Sequence, residues 1–119
     1  MRKLSVLKGA LMYKSKQLYI ISKPRGCGKT WAAKKLASSL NIPIVHSKDL
    51  DLYRGLRSVI IDDLPEELVL DMIHSDHPIN LMKEVYYFST FTEDPKESFV
   101  SRIPRTWAVT LERYTREQL

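Results

Sequence analysis

Short runs of apolar residues alternate along the chain with segments whose apolar residues recur at helical spacing. The run 18–21 is typical of a buried strand, whereas residues 32–40 carry Ala and Leu on one helical face. The pattern predicts five strands, at 17–22, 43–46, 58–62, 84–89 and 106–111. It predicts helices at 6–13, 29–40, 66–74 and 94–100, with a further turn at 80–83. This alternation favours an α/β fold with a mostly parallel sheet flanked by helices and a ligand at the carboxyl ends of the strands.

A glycine-rich segment joins the first strand to the helix at 29–40. Residues 22–30 read SKPRGCGKT, which matches the second half of the phosphate-loop pattern G-x-x-x-x-G-K-[ST]; Lys23 stands at the first glycine position. Glycines allow backbone N–H groups to surround phosphate oxygens, a lysine reaches the β- and γ-phosphates, and a threonine hydroxyl binds Mg²⁺. We expect nucleotide contacts from nine consecutive residues: Lys23, Pro24, Arg25, Gly26, Cys27, Gly28, Lys29, Thr30 and Trp31. A Gly-Lys-Thr sequence that only begins a helix is the alternative.

Two acidic residues end the predicted strand at 58–62. Residues 59–61 are Val-Ile-Ile, typical of a strand covered on both faces, and Asp62 and Asp63 follow at once. In a nucleotide site, Asp62 would hold Mg²⁺ and Asp63 would act as the base that polarises water. A strand end followed by a helix cap before Pro65 is the alternative.

Composition points to one small domain. The chain has 119 residues, of which 44% are hydrophobic, enough for one core. No run of eighteen apolar residues and no signal-peptide pattern occurs, so we expect a cytoplasmic protein without a membrane span. The single cysteine, Cys27, excludes an intramolecular disulfide, and its expected role is to contribute a backbone N–H to the loop.

Charge is distributed unevenly. Eleven of the 19 basic residues lie in residues 1–48, which contain no acidic residue, and the rest of the chain holds eight basic and all 14 acidic residues. This asymmetry predicts contact with a nucleic acid or with the acidic surface of a neighbouring copy. A solvated basic surface with three cations in the phosphate loop explains it equally well. We divide the chain into a basic N-terminal helical segment, 1–16, and a nucleotide-binding domain, 17–119.

Taken together, these segments resemble the core of AAA+ ATPases. The order of phosphate loop, Ile-Ile-Asp-Asp strand, aromatic strand and Ser101-Arg102-Ile103 is similar to that of helicase loaders, replication initiators and superfamily 3 helicases of small DNA viruses and plasmids. The resemblance covers residues 17–111. It implies a three-layer α/β/α phosphate-loop NTPase fold with strand order 5-1-4-3-2, and ATP and Mg²⁺ as cofactors.

The resemblance also assigns residues beyond the phosphate loop. Arg102 stands at the position of the arginine finger that acts on a neighbouring subunit, with Arg105 as second choice, which implies a homo-oligomer or larger ATPase assembly. Phe91 stands where the family has its sensor asparagine. Only residues 112–119 follow the last strand, so we expect no C-terminal helical lid.

These features predict an ATPase acting in DNA replication, helicase loading or genome handling of a virus or mobile element. Lys29, Asp63 and Arg102 are the expected catalytic residues, and Thr30 and Asp62 the expected metal ligands. Two other functions fit the same residues: a non-catalytic regulatory protein with a degenerate ATPase core, and a small nucleotide kinase.

Overall fold

A five-stranded parallel sheet forms the centre of the described chain. The structure, a computed structural model, describes residues 16–22, 28–89 and 97–113. The strands are β1 (Lys16–Ser22), β2 (Ile44–Val45), β3 (Ser58–Asp62), β4 (Glu84–Ser89) and β5 (Trp107–Arg113). Their order is β2-β3-β4-β1-β5, and every neighbouring pair is parallel. The predicted α/β class and parallel sheet are therefore confirmed, and the strand order is the one that the resemblance implies.

Three helices connect the strands: α1 (Lys29–Leu40), α2 (Glu66–Ile73) and α3 (Glu97–Ser101). Helix α1 ends where Asn41 adopts a left-handed conformation, with φ 57°, and donates its backbone N–H to Ala37. Asparagine tolerates this conformation, and Pro43 then prevents the helix from continuing. The predicted helix at 6–13 lies outside the described residues, as do residues 94–96 of the predicted last helix.

Some predicted boundaries were wrong. Strand β2 has two residues rather than four, and β5 continues to Arg113 instead of ending at 111. A 3₁₀ turn at Leu50–Leu52 was not predicted, and the turn predicted at 80–83 is a 3₁₀ turn at Pro78–Leu81. Local caps explain both turns, because Asp49 accepts a hydrogen bond from the N–H of Asp51 and His77 accepts one from the N–H of Ile79.

Alternate side chains of the central strands point to opposite faces of the sheet, as the strand period of two requires. On β3, Val59 and Ile61 belong to the apolar cluster that includes α2 and α3, whereas Ile60 packs with Ala33 of α1. Helices thus cover both faces. All three strand residues are completely buried, which explains why the run carries no polar position.

The structure contains no helix, within its described residues, that is both long and apolar enough to cross a membrane.

Candidate functional site

The carboxyl end of β3 and the first turn of α1 meet at one edge of the sheet. Helix α1 follows β1, but it packs toward β2 and β3. Because β4 lies between β1 and β3, this crossing is what carries the start of α1 over to the end of β3. Lys29 and Thr30 thereby reach Asp62 and Asp63, more than thirty residues later in the chain.

The Lys29 ammonium bridges the two carboxylates. Its Nζ atom lies 2.7 Å from Oδ1 of Asp62 and 3.0 Å from Oδ1 of Asp63. Burial lowers the pKa of Lys29, but its hydrogen bonds to both carboxylates and their negative charges outweigh burial, so the pKa is raised above its ordinary value. Lys29 therefore remains a cation at neutral pH, and it supplies the positive charge between the two acids.

Asp62 is a buried carboxylate whose two oxygens are both satisfied. Its side chain has no exposed surface; Oδ1 accepts from Lys29, and Oδ2 accepts a hydrogen bond of 3.1 Å from the Thr30 hydroxyl. A buried charge is tolerated only with such partners, since an unpaired one carries a large desolvation cost. The contacts hold the carboxylate in one orientation.

His46 is a member of the site that the sequence did not predict. It follows β2, the edge strand beside β3, and its Nδ1 lies 3.1 Å from the carbonyl oxygen of Asp62 and 3.8 Å from Oδ2. Because a carbonyl only accepts hydrogen bonds, Nδ1 carries the proton in this contact. The only available signal was a polar residue at the end of the strand predicted at 43–46.

Asp63 turns the chain sharply away from β3. Its φ is +72°, a left-handed conformation that Asp tolerates better than most residues. The turn leaves the Asp63 carboxylate 64% exposed beside Lys29 and sends Leu64 into the core. The buried hydroxyl of Tyr87 donates a hydrogen bond of 2.6 Å to the Leu64 carbonyl, which fixes the backbone behind the acid.

Gly28 begins α1 in a left-handed conformation, with φ +77°. A Cβ at this position would lie 3.8 Å from Cβ of Trp31, an ordinary contact, so backbone conformation rather than space favours glycine. The Gly28 carbonyl accepts the first helical hydrogen bond, from Ala32 at 2.9 Å. The glycine thus sets the direction in which Lys29 and Thr30 leave the loop.

The remaining predicted residues lie elsewhere. Residues 23–27 and Phe91 fall outside the described chain. Trp31 is exposed on α1. Arg102 lies against α2, where its guanidinium is 3.1 Å from Oε2 of Glu67 and its carbonyl accepts a hydrogen bond of 2.6 Å from His74. The structure therefore brings together four of the predicted residues, but not Arg102, within one chain.

The donor set of the site suits a cation held jointly with a phosphate. No cluster of three or more His, Cys, Asp or Glu side chains placed for a metal ion occurs in residues 16–22, 28–89 and 97–113. Mg²⁺ commonly uses only one or two carboxylates, with phosphate oxygens and water completing its shell. Asp62 and the Thr30 hydroxyl, which lie 3.1 Å apart, meet that requirement.

Comparison of the chain with protein-family models found no match, and comparison with curated proteins found no significant similarity.

Proposed function

We propose that the protein binds ATP with Mg²⁺ and hydrolyses it, as a minimal phosphate-loop ATPase of the AAA+ or superfamily 3 type. The observation that carries the proposal is the convergence of Lys29 and Thr30 on Asp62, at the carboxyl edge of a parallel sheet. A lysine and a hydroxyl at the start of a helix, facing a buried carboxylate at a strand end, are the groups that phosphate-loop sites use for phosphate and metal.

Lys29 is the phosphate-binding cation in this proposal. Its ammonium exchanges two carboxylates for phosphate oxygens, so its charge stays compensated while the nucleotide is bound. Asp62 and Thr30 would hold Mg²⁺, which when bound neutralises negative charge on the phosphates. The existing hydrogen bond between these two side chains already places their oxygens 3.1 Å apart.

Asp63 is the proposed base. Its carboxylate is 64% exposed, so water reaches it, and the left-handed turn keeps it beside Lys29. When Lys29 moves to the phosphates, Asp63 becomes free to accept a proton from the attacking water.

Arg102 is assigned to the site of a neighbouring copy, which makes the active form a homo-oligomer. Its ion pair with Glu67 is solvent-exposed on both sides, and such pairs contribute about 1 kcal/mol or less. Breaking this ion pair therefore costs little free energy compared with the roughly 10³-fold or greater increase in the rate of hydrolysis that an arginine finger provides. A role in replication, helicase loading or genome handling is supported by the sequence resemblance.

Nucleotide binding without turnover is the second candidate. The contact that favours it is the 3.0 Å ion pair between Asp63 and Lys29, because an acid that stays bound to an ammonium is a poor proton acceptor. Measuring phosphate release from ATP distinguishes hydrolysis from binding without turnover. Phosphate transfer to an added nucleoside monophosphate would identify a kinase.

Calorimetry with ATP and Mg²⁺ tests the proposal. Lys29→Ala should weaken binding by about 1.5 to 3 kcal/mol, or roughly 10- to 150-fold, the contribution of a charged hydrogen bond. Lys34→Ala is the matched control, because it removes the same charge from the exposed side of the same helix. Equal ATP affinity of wild type and Lys29→Ala, with both proteins folded by circular dichroism, would show that Lys29 does not bind phosphate.

A further inference from the structure

Helix α1 presents an aromatic and basic stripe to solvent. Trp31, Lys34, Lys35 and Ser38 are all exposed and are spaced so that they share one face of the helix. The opposite face, which includes Ala33, packs on the sheet. Trp31 is 66% exposed, although a residue of this size usually buries most of its surface. The stripe is not part of the contacts among Lys29 and the carboxylates.

A cation accompanies the exposed indole. The ammonium of Lys35 lies 5.1 Å from the centroid of the Trp31 ring, within the range of a cation–π interaction. This contact favours one orientation of the indole on the helix surface. The ammonium therefore lies over one face of the indole, while the Trp31 side chain as a whole stays 66% exposed, and positive charge adjoins the exposed part of the ring.

The two helical layers of the molecule carry opposite charge. Helix α1 contains three lysines and no acidic residue, whereas α2 contains three acidic residues and no Lys or Arg. The helices lie on opposite faces of the sheet. A polyanion is consequently attracted to the α1 side and repelled from the α2 side.

We propose that this stripe binds a short stretch of single-stranded nucleic acid, with one base stacked on Trp31 and the backbone phosphates near Lys34 and Lys35. Lysines alone would bind any polyanion. An exposed aromatic ring beside cations, in contrast, matches the alternation of base and phosphate in a single strand. A duplex hides its base faces in its own stack. The proposal does not depend on ATP binding, because Lys29, Thr30, Asp62 and Asp63 take no part in it, although Trp31 was among the residues expected to contact the nucleotide.

The size of the stripe limits the affinity. Ser38 lies seven positions after Trp31, which corresponds to about 10 Å along the helix, the length of a few nucleotides. Stacking of one base on an aromatic side chain is expected to raise the affinity about 5- to 150-fold. Each lysine that neutralises a phosphate should contribute about −0.7 to the log–log slope of affinity against salt.

Intrinsic fluorescence provides a direct test in the full chain without nucleotide. The chain has two tryptophans, and Trp107 is buried with 2% of its surface exposed, so a stacking base should quench only Trp31. Titration with 12-mers of oligo-dU and oligo-rU, which differ only in the sugar, should give saturable quenching at about 50 mM salt; binding of only one identifies the sugar that the stripe accepts. Trp31→Phe should keep binding, measured by anisotropy of a labelled oligonucleotide, but lose the quenching.

Variants of the stripe separate stacking from charge. Trp31→Ala should weaken binding about 5- to 150-fold, and Lys34→Ala or Lys35→Ala should each reduce the salt slope by about 0.7. Lys83→Ala is the matched charge control, because Lys83 precedes β4 at the opposite edge of the sheet from the carboxyl strand ends. Lys83→Ala should leave both the affinity and the salt slope unchanged.

Four results would overturn the proposal. The first is that the oligonucleotides do not bind at about 50 mM salt, and the second is that Trp31→Ala does not weaken their binding. The third is equal affinity for a duplex with the same dependence on Trp31. The fourth is a poly-glutamate peptide that quenches Trp31 as strongly as the oligonucleotides, which would identify the stripe as a contact for acidic proteins.

Discussion

Replacing Asp62 by asparagine isolates the charge of the buried carboxylate. The two side chains have the same shape, so Asp62→Asn keeps the packing at the end of β3. The amide oxygen still accepts a hydrogen bond from Lys29, and the Thr30 hydroxyl can rotate to accept one from the amide nitrogen. What disappears is the negative charge 2.7 Å from the Lys29 ammonium.

The cost follows from the burial of the two partners. Removing one member of a buried ion pair typically costs 3–5 kcal/mol, because the other charge is left without compensation. Asp62 is completely buried, but Lys29 is 19% exposed and keeps its second partner, Asp63. We therefore expect a loss of about 3 kcal/mol in the free energy of unfolding, near the lower end of that range. This corresponds to a fall in Tm of roughly 10–15 °C for a domain of this size.

Urea denaturation followed by circular dichroism measures this loss, and Asp63→Asn is its control. Asp63 forms an ion pair with the same ammonium, but it is 64% exposed, so Asp63→Asn should cost about 1 kcal/mol or less. A double-mutant cycle with Lys29→Met then gives the Lys29–Asp62 coupling, expected at about 1–3 kcal/mol. If Asp62→Asn destabilises the protein no more than Asp63→Asn does, the buried ion pair does not anchor the start of α1 to β3.

Three further predictions concern turnover, assembly and pH. Asp63→Asn should retain ATP affinity while phosphate release falls, and lost affinity with normal turnover per bound nucleotide would reverse the role assigned to Asp63. Arg102→Ala and Lys29→Ala should each be inactive, yet their mixture should regain partial ATPase activity, because the shared interface joins an intact phosphate site to an intact arginine; a mixture that stays inactive removes the role of Arg102 in trans. His77 is buried, and burial lowers its pKa more than its hydrogen bond to the Lys48 carbonyl raises it. The unfolded chain therefore takes up a proton near pH 6.5 before the folded protein does, so the free energy of unfolding should fall as pH decreases below about 6.5, and His77→Asn should remove that dependence.

Local patterns were sufficient for most of the elements. The apolar runs at 18–21 and 59–61 form the centres of β1 and β3, and all of these residues except the half-buried Tyr19 are buried, so both strands were recognisable from the sequence. Strand β2 was overestimated because its pairing with β3 reaches only Ile44 and Val45. The 3₁₀ turn at Leu50–Leu52 was missed, and the turn at Pro78–Leu81 was placed two residues late, because single side-chain caps, from Asp49 and His77, produce them. Such caps have no periodic signal.

For the candidate site, residue types near a glycine-rich loop and at a strand end were enough to name Lys29, Thr30, Asp62 and Asp63. Which of them touch was decided by the tertiary structure, because the insertion of β4 between β1 and β3 and the crossing of α1 bring together groups more than thirty residues apart. The same sheet order places His46 beside Asp62, and the packing of α2 directs Arg102 to Glu67. Neither contact follows from the sequence, because spacing along the chain carries no information about which strands become neighbours.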